Sequence, residues 1–157
     1  MFRCLEIGPL LETVREAKEK SDFTIVFIHW GTEGTDALDH WQMEQAPQIA
    51  EAGADLIIGA HPHVLQPMEQ WGESVILYSM GNFCFGGNSA PSDMDSMIFQ
   101  QTFTISNDGV KADNVTNIIP CSISSAYGYN NYQPTPAEGD EKTRIMEKIQ
   151  ERSSWIG

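Results

Sequence analysis

Two of the chain's four histidines are separated by a single proline. His61 and His63 lie in the segment GAHPHV, which completes the apolar run ADLIIGA, and His29 ends a second apolar run, FTIVFIH. Neutral imidazole is the commonest protein ligand for zinc and also binds manganese and iron. Three histidines without paired cysteines are typical of a catalytic metal site that keeps one position open. A divalent ion bound there would activate a water molecule for hydrolysis.

The elements that precede these histidines have to place them together. Both apolar runs are rich in β-branched residues, which predicts strands that are buried on both faces. Between them, residues 41–53 predict a helix that stops at Gly53, with Pro47 either kinking it or marking its first turn. A strand, a helix and a strand in this order form a β-α-β unit with parallel strands. His29 and His61 therefore follow the carboxyl ends of neighbouring strands, the edge where open α/β sheets bind ligands.

Pro62 predicts the local geometry of the histidine pair. Residues i and i+2 of an extended chain point the same way and lie about 6.6 Å apart. Proline fixes its own φ and disfavours helix at the residue before it. We therefore expect His61 and His63 to form a stiff, extended pair that reaches one ion or two adjacent ions. His40 precedes a helix, and we expect it to be a solvated surface residue.

Further polar residues follow the same strands. Glu33 and Asp36 lie in a glycine-rich loop after His29, where a carboxylate could orient an imidazole or act on a water molecule. Asn82 follows a third predicted strand, SVILYSMGNF, and could donate to a bound oxyanion, although Gly-Asn also forms plain turns. The bland alternative for each histidine is a hydrogen bond to a backbone carbonyl. Trp30 and Trp41 either line the crevice or pack in the core.

The remaining segments predict a mixture of elements. Residues 10–20 have the apolar spacing of a surface helix. The two runs MIFQQTFTIS and VKADNVTNIIP flank the turn signal NDG at 107–109, which predicts a hairpin. Residues 122–136 predict an irregular surface segment. Asp140 could then cap a final helix whose apolar side carries Ile145, Met146 and Ile149.

Composition bounds the class of protein. The 157 residues suffice for about one domain. The sequence contains no run of 18 apolar residues, the length needed to span a bilayer. The N-terminus lacks the pattern of a signal peptide, so we expect this chain alone to be cytoplasmic. Three cysteines, Cys4, Cys84 and Cys121, form no C-x-x-C pair and predict buried thiols. A net charge of −13 argues against nucleic acid as a partner and suits divalent cations.

Three segments carry a resemblance to a known family. HWGTE at 29–33, AGADLIIGAHPHVLQPME at 52–69 and ILYSMGNFCFG at 76–86 resemble blocks of the CapA-like capsule-synthesis proteins, which are associated with poly-gamma-glutamate. That family belongs to the calcineurin-like metallophosphatase superfamily, and the likeness covers roughly residues 10–120. It implies an α/β fold that is half of an α-β-β-α sandwich. In this half an N-terminal β-α-β unit is followed by mainly antiparallel strands and a C-terminal helix.

The resemblance also implies a site. In such proteins two divalent ions (Mn, Fe or Zn) activate a water molecule that attacks phosphorus. His29 and His61 would ligate one ion and His63 the other, and Glu33 and Asn82 match the family's catalytic Glu and Asn.

The chain departs from the superfamily pattern in one respect. The Asp-x-His pair, the bridging Asp and the Asn-His pair of the superfamily's earlier half do not occur in this sequence. We therefore interpret residues 1–121 as the C-terminal half of the domain and 122–157 as an irregular segment with a terminal helix. We expect at most one tightly held ion and little or no hydrolysis by this chain. Exposed sheet surface would favour a homodimer or association with a missing N-terminal half.

Three functional hypotheses follow. The first is a fragment of a metal-dependent, phosphoesterase-like hydrolase of capsule or poly-gamma-glutamate synthesis, acting on an anionic polymer or a phosphoester. The second is a non-catalytic, metal-dependent module that binds polymer or assists assembly. The third is a structural half-domain that needs a separate partner chain. Whether the chain is an enzyme stays open here, and the family resemblance implies a cell-surface location for full-length members.

Overall fold

The computed structural model describes residues 6–107 and 109–156. Helices and strands alternate at first and strands then predominate. The elements are α1 (Ile7–Lys20), β1 (Ile25–His29), α2 (His40–Glu51), β2 (Leu56–Ala60), β3 (Met68–Trp71), β4 (Ser74–Leu77), β5 (Asp95–Ser106), β6 (Gly109–Ser122), β7 (Thr135–Pro136) and α3 (Gly139–Ser153), which a short 3-10 turn (Ser154–Ile156) follows. The fold is therefore mixed α/β, as the sequence predicts.

The first sheet has the strand order β1-β2-β4-β3. Strands β1 and β2 are parallel and flank α2 in sequence, which confirms the predicted β-α-β unit. Strand β4 is parallel to β2, so three consecutive parallel strands end at one edge of the sheet. Strand β3 pairs antiparallel with β4 across a tight turn at Gly72, whose φ is 57°. This hairpin was not predicted from the sequence.

The second sheet consists of β5, β6 and β7, all antiparallel. Strands β5 and β6 pair from Asp95 with Ser122 to Ser106 with Gly109, which confirms the predicted hairpin. Asp108 of the turn signal lies outside the described residues. The segment between β6 and β7 is irregular, as predicted. The prediction that it lies on the surface is wrong in part, because Ile123, Ser124 and Asn130 are buried.

Two apolar clusters fill the two sides of the first sheet. One side packs against α1 and α2 through a cluster that includes Val14, Val26, Ile28, Trp30, Ala46, Ile49, Ile57, Ile76 and Tyr78. The other side packs against the start of β5 and against α3 through a cluster that includes Leu56, Ile58, Leu65, Val75, Leu77, Met97, Ile145 and Ile149. The alternating burial of strand residues between these clusters follows from the two-residue period of a strand.

Strand β1 departs from its predicted burial. Its residues alternate between exposed and buried, and Ile25 and Phe27 are 47% and 74% exposed. The prediction of a strand buried on both faces is therefore wrong for β1, because this strand lies at the sheet edge and the second apolar cluster does not reach it. The prediction is confirmed for β2, in which all residues but Ala60 are buried.

The helix boundaries bring two smaller corrections. Pro47 lies inside α2 and does not mark its first turn, because the helix begins at His40 with the Gln42 side chain accepting from the Asp39 backbone N–H at 2.9 Å. Asp140 lies in the first turn of α3 and is not its cap, because the helix begins one residue earlier, at Gly139. The predicted apolar side of α3 is confirmed for Ile145 and Ile149, which are buried.

The thiols and the helices bear on two expectations. Cys121 is buried, and burial raises the pKa of its thiol. Cys84 is exposed, so the prediction of buried thiols is wrong there, and Cys4 lies outside the described residues. Within the described ranges, no helix is both long and apolar enough to cross a bilayer.

Candidate metal centre

The predicted site residues gather where β1, β2 and β4 end. Glu33, His61 and His63 each offer a ligand atom, and these three atoms lie within 4.8 Å of one another. The ring of His29 lies beside them, with its centroid 4.5 Å from that of His61. The His61 and His63 ring centroids are 6.3 Å apart. The structure therefore assembles the histidines at one sheet edge, as the parallel strands require.

The backbone of the histidine pair differs from the prediction. The φ angles of His61 and His63 are 105° and 62°, and residues other than glycine rarely adopt such positive values. The expectation of an extended pair is therefore wrong. The chain turns at both histidines, and the two rings converge because of these turns. Such conformations persist only where the surroundings impose them, and they are concentrated at functional sites.

Pro62 is the residue that the surroundings hold. It is fully buried, and its carbonyl accepts the Gly34 N–H at 2.8 Å. Gly31, with a φ of 86°, leaves room for the proline ring, since an added Cβ would lie 3.1 Å from Pro62 Cγ. The loop that carries Glu33 thus rests directly on the proline between the two histidines.

Asn82 fixes the orientation of one imidazole. Its Oδ1 lies 2.6 Å from His63 Nδ1, and its Nδ2 donates to the His63 carbonyl at 3.2 Å. Because the amide oxygen can only accept, the hydrogen bond assigns the proton of His63 to Nδ1. Nε2 then keeps its lone pair for a metal ion. Metal-binding histidines are usually held in this way through their second nitrogen.

Phe85 packs beside the same imidazole, with its ring centroid 4.8 Å from that of His63. The Phe85 carbonyl in turn accepts from the Asn130 side chain at 3.0 Å, and Asn130 is buried in the irregular segment after β6. Neither residue was predicted from the sequence to belong to the site. The segment FCFG next to Asn82 was the only available signal for Phe85, and nothing in the sequence singled out Asn130.

The donor set suits a divalent ion. Two imidazoles and one carboxylate form a known catalytic zinc set, in which each ligand atom lies about 2.0–2.2 Å from the ion. Ligand atoms around one such ion are closer together than 4.8 Å, so the set must contract slightly. Glu33 can supply that movement because its side chain is 67% exposed, with Oε1 3.8 Å from His61 Nδ1. Among the described residues this is the single group of three such ligands that the geometry brings together.

Other residues singled out in the sequence have structural surroundings. Asp36 forms an ion pair with Arg152 at 2.7 Å. Trp30 is buried and donates its indole N–H to the Tyr78 carbonyl at 2.9 Å, which confirms a core role. The side chain of His40 is 90% exposed, as expected for a solvated residue.

Comparisons with known proteins identify a family and several relatives. The profile of the family described as "Bacterial capsule synthesis protein PGA_cap" matches residues 6–87. The chain is 44% identical over 72 residues to the "PGA biosynthesis protein CapA" of Bacillus subtilis (strain 168), a match covering 46% of the chain and 19% of that protein. It is 39% identical over 80 residues to the "Capsule biosynthesis protein CapA" of Bacillus anthracis, covering 48% of the chain and 20% of that protein. An uncharacterized protein of Sinorhizobium fredii is 33% identical over 92 residues, covering 57% and 20%. The matched part of the chain thus spans about a fifth of each relative.

Proposed function

Because the chain belongs to the bacterial capsule synthesis protein family PGA_cap, we propose that its Glu33–His61–His63 cluster is a divalent metal site that serves capsule or poly-gamma-glutamate synthesis. The printed names of the two Bacillus relatives supply the biological setting. The proposed chemistry is that of a metal-dependent, phosphoesterase-like hydrolase. Its substrate class is a phosphoester or an anionic polymer.

One observation carries this proposal. Three potential ligand atoms from two separate loops converge within 4.8 Å, and both histidines adopt unfavourable backbone angles to achieve this. A turn that only reversed the chain would not need positive φ angles at two histidines, one on each side of a buried proline. The cost of order 1–3 kcal/mol for each strained residue is typical of functional sites.

Each residue has a proposed task. Asn82 keeps the Nε2 atom of His63 directed away from its own amide, by accepting the Nδ1 proton. His61 supplies the second imidazole, and His29 extends the cluster from the end of β1. Glu33, the exposed carboxylate, brings negative charge to the site and can accept a proton from a water molecule or from substrate. A divalent ion bound here would supply Lewis-acid activation of water.

The proposed superfamily architecture is an α-β-β-α sandwich of which this chain provides part. Support comes from the two sheets, from α1 and α2 on one side of the first sheet, and from the contact of its other side with the start of β5; α3 also packs on that second side. A non-catalytic alternative is favoured by a different observation. The described cluster contains a single carboxylate, so its negative charge would not compensate the positive charge of two divalent ions. A metal-dependent module that binds polymer or assists assembly needs only one ion.

We expect the purified chain, dialysed and then titrated with Mn²⁺ or Zn²⁺ in a calorimeter, to bind at most one ion tightly and to hydrolyse a generic phosphate ester slowly or not at all. The His63→Ala variant should lose at least tenfold in affinity, since it removes a ligand. Metal analysis after dialysis and p-nitrophenyl phosphate turnover provide the measurements.

His40→Ala is the matched control, because it removes an imidazole that is 90% exposed and does not belong to the ligand cluster. Its metal affinity should equal that of the unmodified chain. Absence of binding would overturn the metal proposal. Two tightly held ions or brisk Mn²⁺-dependent turnover would overturn the expectation of a partial site and favour hydrolase over binding module.

We also propose that the exposed edge of β1 mediates self-association. Ile25 and Phe27 project from a strand that, among the described residues, pairs on one side only, with β2. An unpaired strand edge with apolar side chains favours pairing with another chain.

Light scattering after size exclusion should therefore give the mass of a dimer for the unmodified chain and of a monomer for Phe27→Lys. Tyr127→Lys, which changes a fully exposed aromatic residue elsewhere, should leave the dimer intact. A monomeric unmodified chain would contradict the proposal.

A further inference from the structure

Three of the four basic residues of helix α3 form one row. Arg144, Lys148 and Arg152 follow one another at four-residue intervals and so lie on one side of the helix. Their acidic partners come from different segments: Asp95 for Arg144, Asp93 and Asp95 for Lys148, and Asp36 for Arg152. The helix lies beyond the residues that match the family profile. Its contacts nevertheless reach the segments that carry the candidate metal centre.

Arg152 contacts two of those segments at once. Its Nη2 atom donates to Asp36 Oδ2 at 2.7 Å, and its Nη1 atom donates to the Leu65 carbonyl. Asp36 lies three residues after Glu33, and Leu65 lies two residues after His63. A planar guanidinium with donors in a fixed fork holds two acceptors in a defined relation, which a lysine cannot reproduce. With 12% of its side chain exposed, Arg152 makes these contacts largely shielded from water.

Neighbouring contacts strengthen the same connection. The Ser153 hydroxyl accepts the Met68 N–H at 3.0 Å, which fastens the chain just after the histidine loop. Lys148 pairs with Asp93 and Asp95 at the end of the segment that begins with Asn82. Residues 152 and 153 of α3 therefore contact the loop of Glu33 and the chain on both sides of β3's start, and Lys148 contacts the start of β5, well after Asn82.

We propose that Arg152 is a positioning residue for the metal centre: together with the direct hydrogen bond from Gly34 to Pro62, it fixes the loop of Glu33 against the loop of His61 and His63. The proposal rests on the proposed metal-binding function. Other ties between the loops remain when Arg152 is replaced. Buried Gln66 accepts from Gln42 at 3.1 Å and donates to the Thr35 carbonyl at 3.1 Å. The loops should therefore stay folded and in contact in an Arg152 variant, while the ends at Asp36 and Leu65 that Arg152 bridges become free to move apart.

The test compares Arg152→Ala and Arg152→Lys with the unmodified chain. Two quantities are measured: Mn²⁺ affinity by calorimetry, and the imidazole ¹⁵N resonances of the metal-free protein. We expect Arg152→Ala to weaken Mn²⁺ binding about tenfold, the lower end of the range found when direct partners of metal ligands are removed, because Arg152 bonds to the neighbouring segments and not to the ligands themselves. The His61 and His63 resonances should shift as well. Arg152→Lys should retain only part of the Mn²⁺ affinity of the unmodified chain, because one ammonium group cannot bond to both acceptors as the guanidinium does.

Lys18→Ala is the control, because it breaks a partly buried ion pair with Asp55 remote from the histidines. Lys18→Ala should leave the Mn²⁺ affinity and the imidazole ¹⁵N resonances unchanged. This should hold even if urea denaturation shows that it lowers the free energy of unfolding as much as Arg152→Ala does. Unchanged affinity and spectra in Arg152→Ala would overturn the inference, as would an equal loss of affinity in Lys18→Ala. If the unmodified chain binds no Mn²⁺, the metal proposal fails. The imidazole spectra of the metal-free Arg152→Ala variant then decide the positioning role, with unchanged spectra refuting it.

Discussion

A Gly59→Ala variant is expected to lose about 3–5 kcal/mol of unfolding free energy, a large share of the roughly 5–15 kcal/mol typical of a natural domain. An added Cβ would lie 2.0 Å from the Tyr78 carbonyl oxygen and 2.4 Å from Trp30 Nε1. These two atoms form a buried hydrogen bond of 2.9 Å, and the Trp30 and Tyr78 rings stack with centroids 5.6 Å apart. The methyl group must separate β2 from this pair, so the cost combines overpacking with a buried donor that loses its partner.

Urea denaturation followed by tryptophan fluorescence measures the effect of Gly59→Ala. Gly8→Ala is the matched control, because nothing lies within 4 Å of an added Cβ there and the residue is inside α1. Alanine is favoured over glycine in a helix interior, but Pro9 disfavours helix at the residue before it, so this control should change the free energy of unfolding by less than about 1 kcal/mol. A Gly59→Ala loss below about 1 kcal/mol would contradict the close packing of β2 against Tyr78.

The position of the candidate site follows from the sequence because strand direction alone determines it. His29 and His61 each end an apolar run, and two parallel strands must present their carboxyl ends at one edge. No side-chain detail is needed for that prediction.

The conformation of the pair does not follow from the sequence, because it depends on distant contacts. Local preferences of Pro62 and its neighbour favour an extended chain. The observed φ angles of 105° and 62° come with the burial of Pro62 beneath Gly31 and Gly34, residues of another loop. The exposed face of β1 was missed for a similar reason, since an apolar run shows that a strand can be buried and leaves open what covers it.

The roles of Asn82 and Arg152 also depend on tertiary contacts. Asn82 follows a glycine in a segment that equally predicts a simple turn, and only the fold brings its amide to His63. Arg152 is 116 residues from its partner Asp36 along the chain. No periodicity or motif connects positions so far apart, so the ties that hold the site become visible only in the folded chain.

The buried carboxylate of Asp95 is the second position where a large effect is expected. Its side chain is 6% exposed and accepts two hydrogen bonds of 2.7 Å from Arg144, and Lys148 contacts the same carboxylate. Breaking a buried ion pair by removing one partner costs about 3–5 kcal/mol. Arg144 is 53% exposed and keeps part of its hydration, so we expect Asp95→Asn to cost about 3 kcal/mol at pH 7, at the lower end of that range.

The pH dependence distinguishes this ion pair from a packing effect. Burial alone would raise the pKa of Asp95, but hydrogen bonds from Arg144 and Lys148 outweigh it and hold that pKa below its ordinary value. A lowered folded-state pKa gives stability that is fully present above the unfolded-state pKa of about 3.9 and is lost as pH falls through the folded-state value. Urea denaturation should therefore show the gap between the unmodified chain and Asp95→Asn constant from pH 7 to about 5 and narrowing below about 4.

Glu16→Gln serves as the control for Asp95→Asn. Glu16 pairs with Lys20 at 3.7 Å on the surface of α1, with both side chains more than two-thirds exposed. Such pairs contribute at most about 0.5 kcal/mol, so the variant should match the unmodified chain at every pH. A gap for Asp95→Asn that stayed constant down to pH 2 would mean that packing of the buried side chain, and not its charge, anchors β5 to α3. The row of cations on α3 would then hold the loops of the metal centre through Arg152 alone.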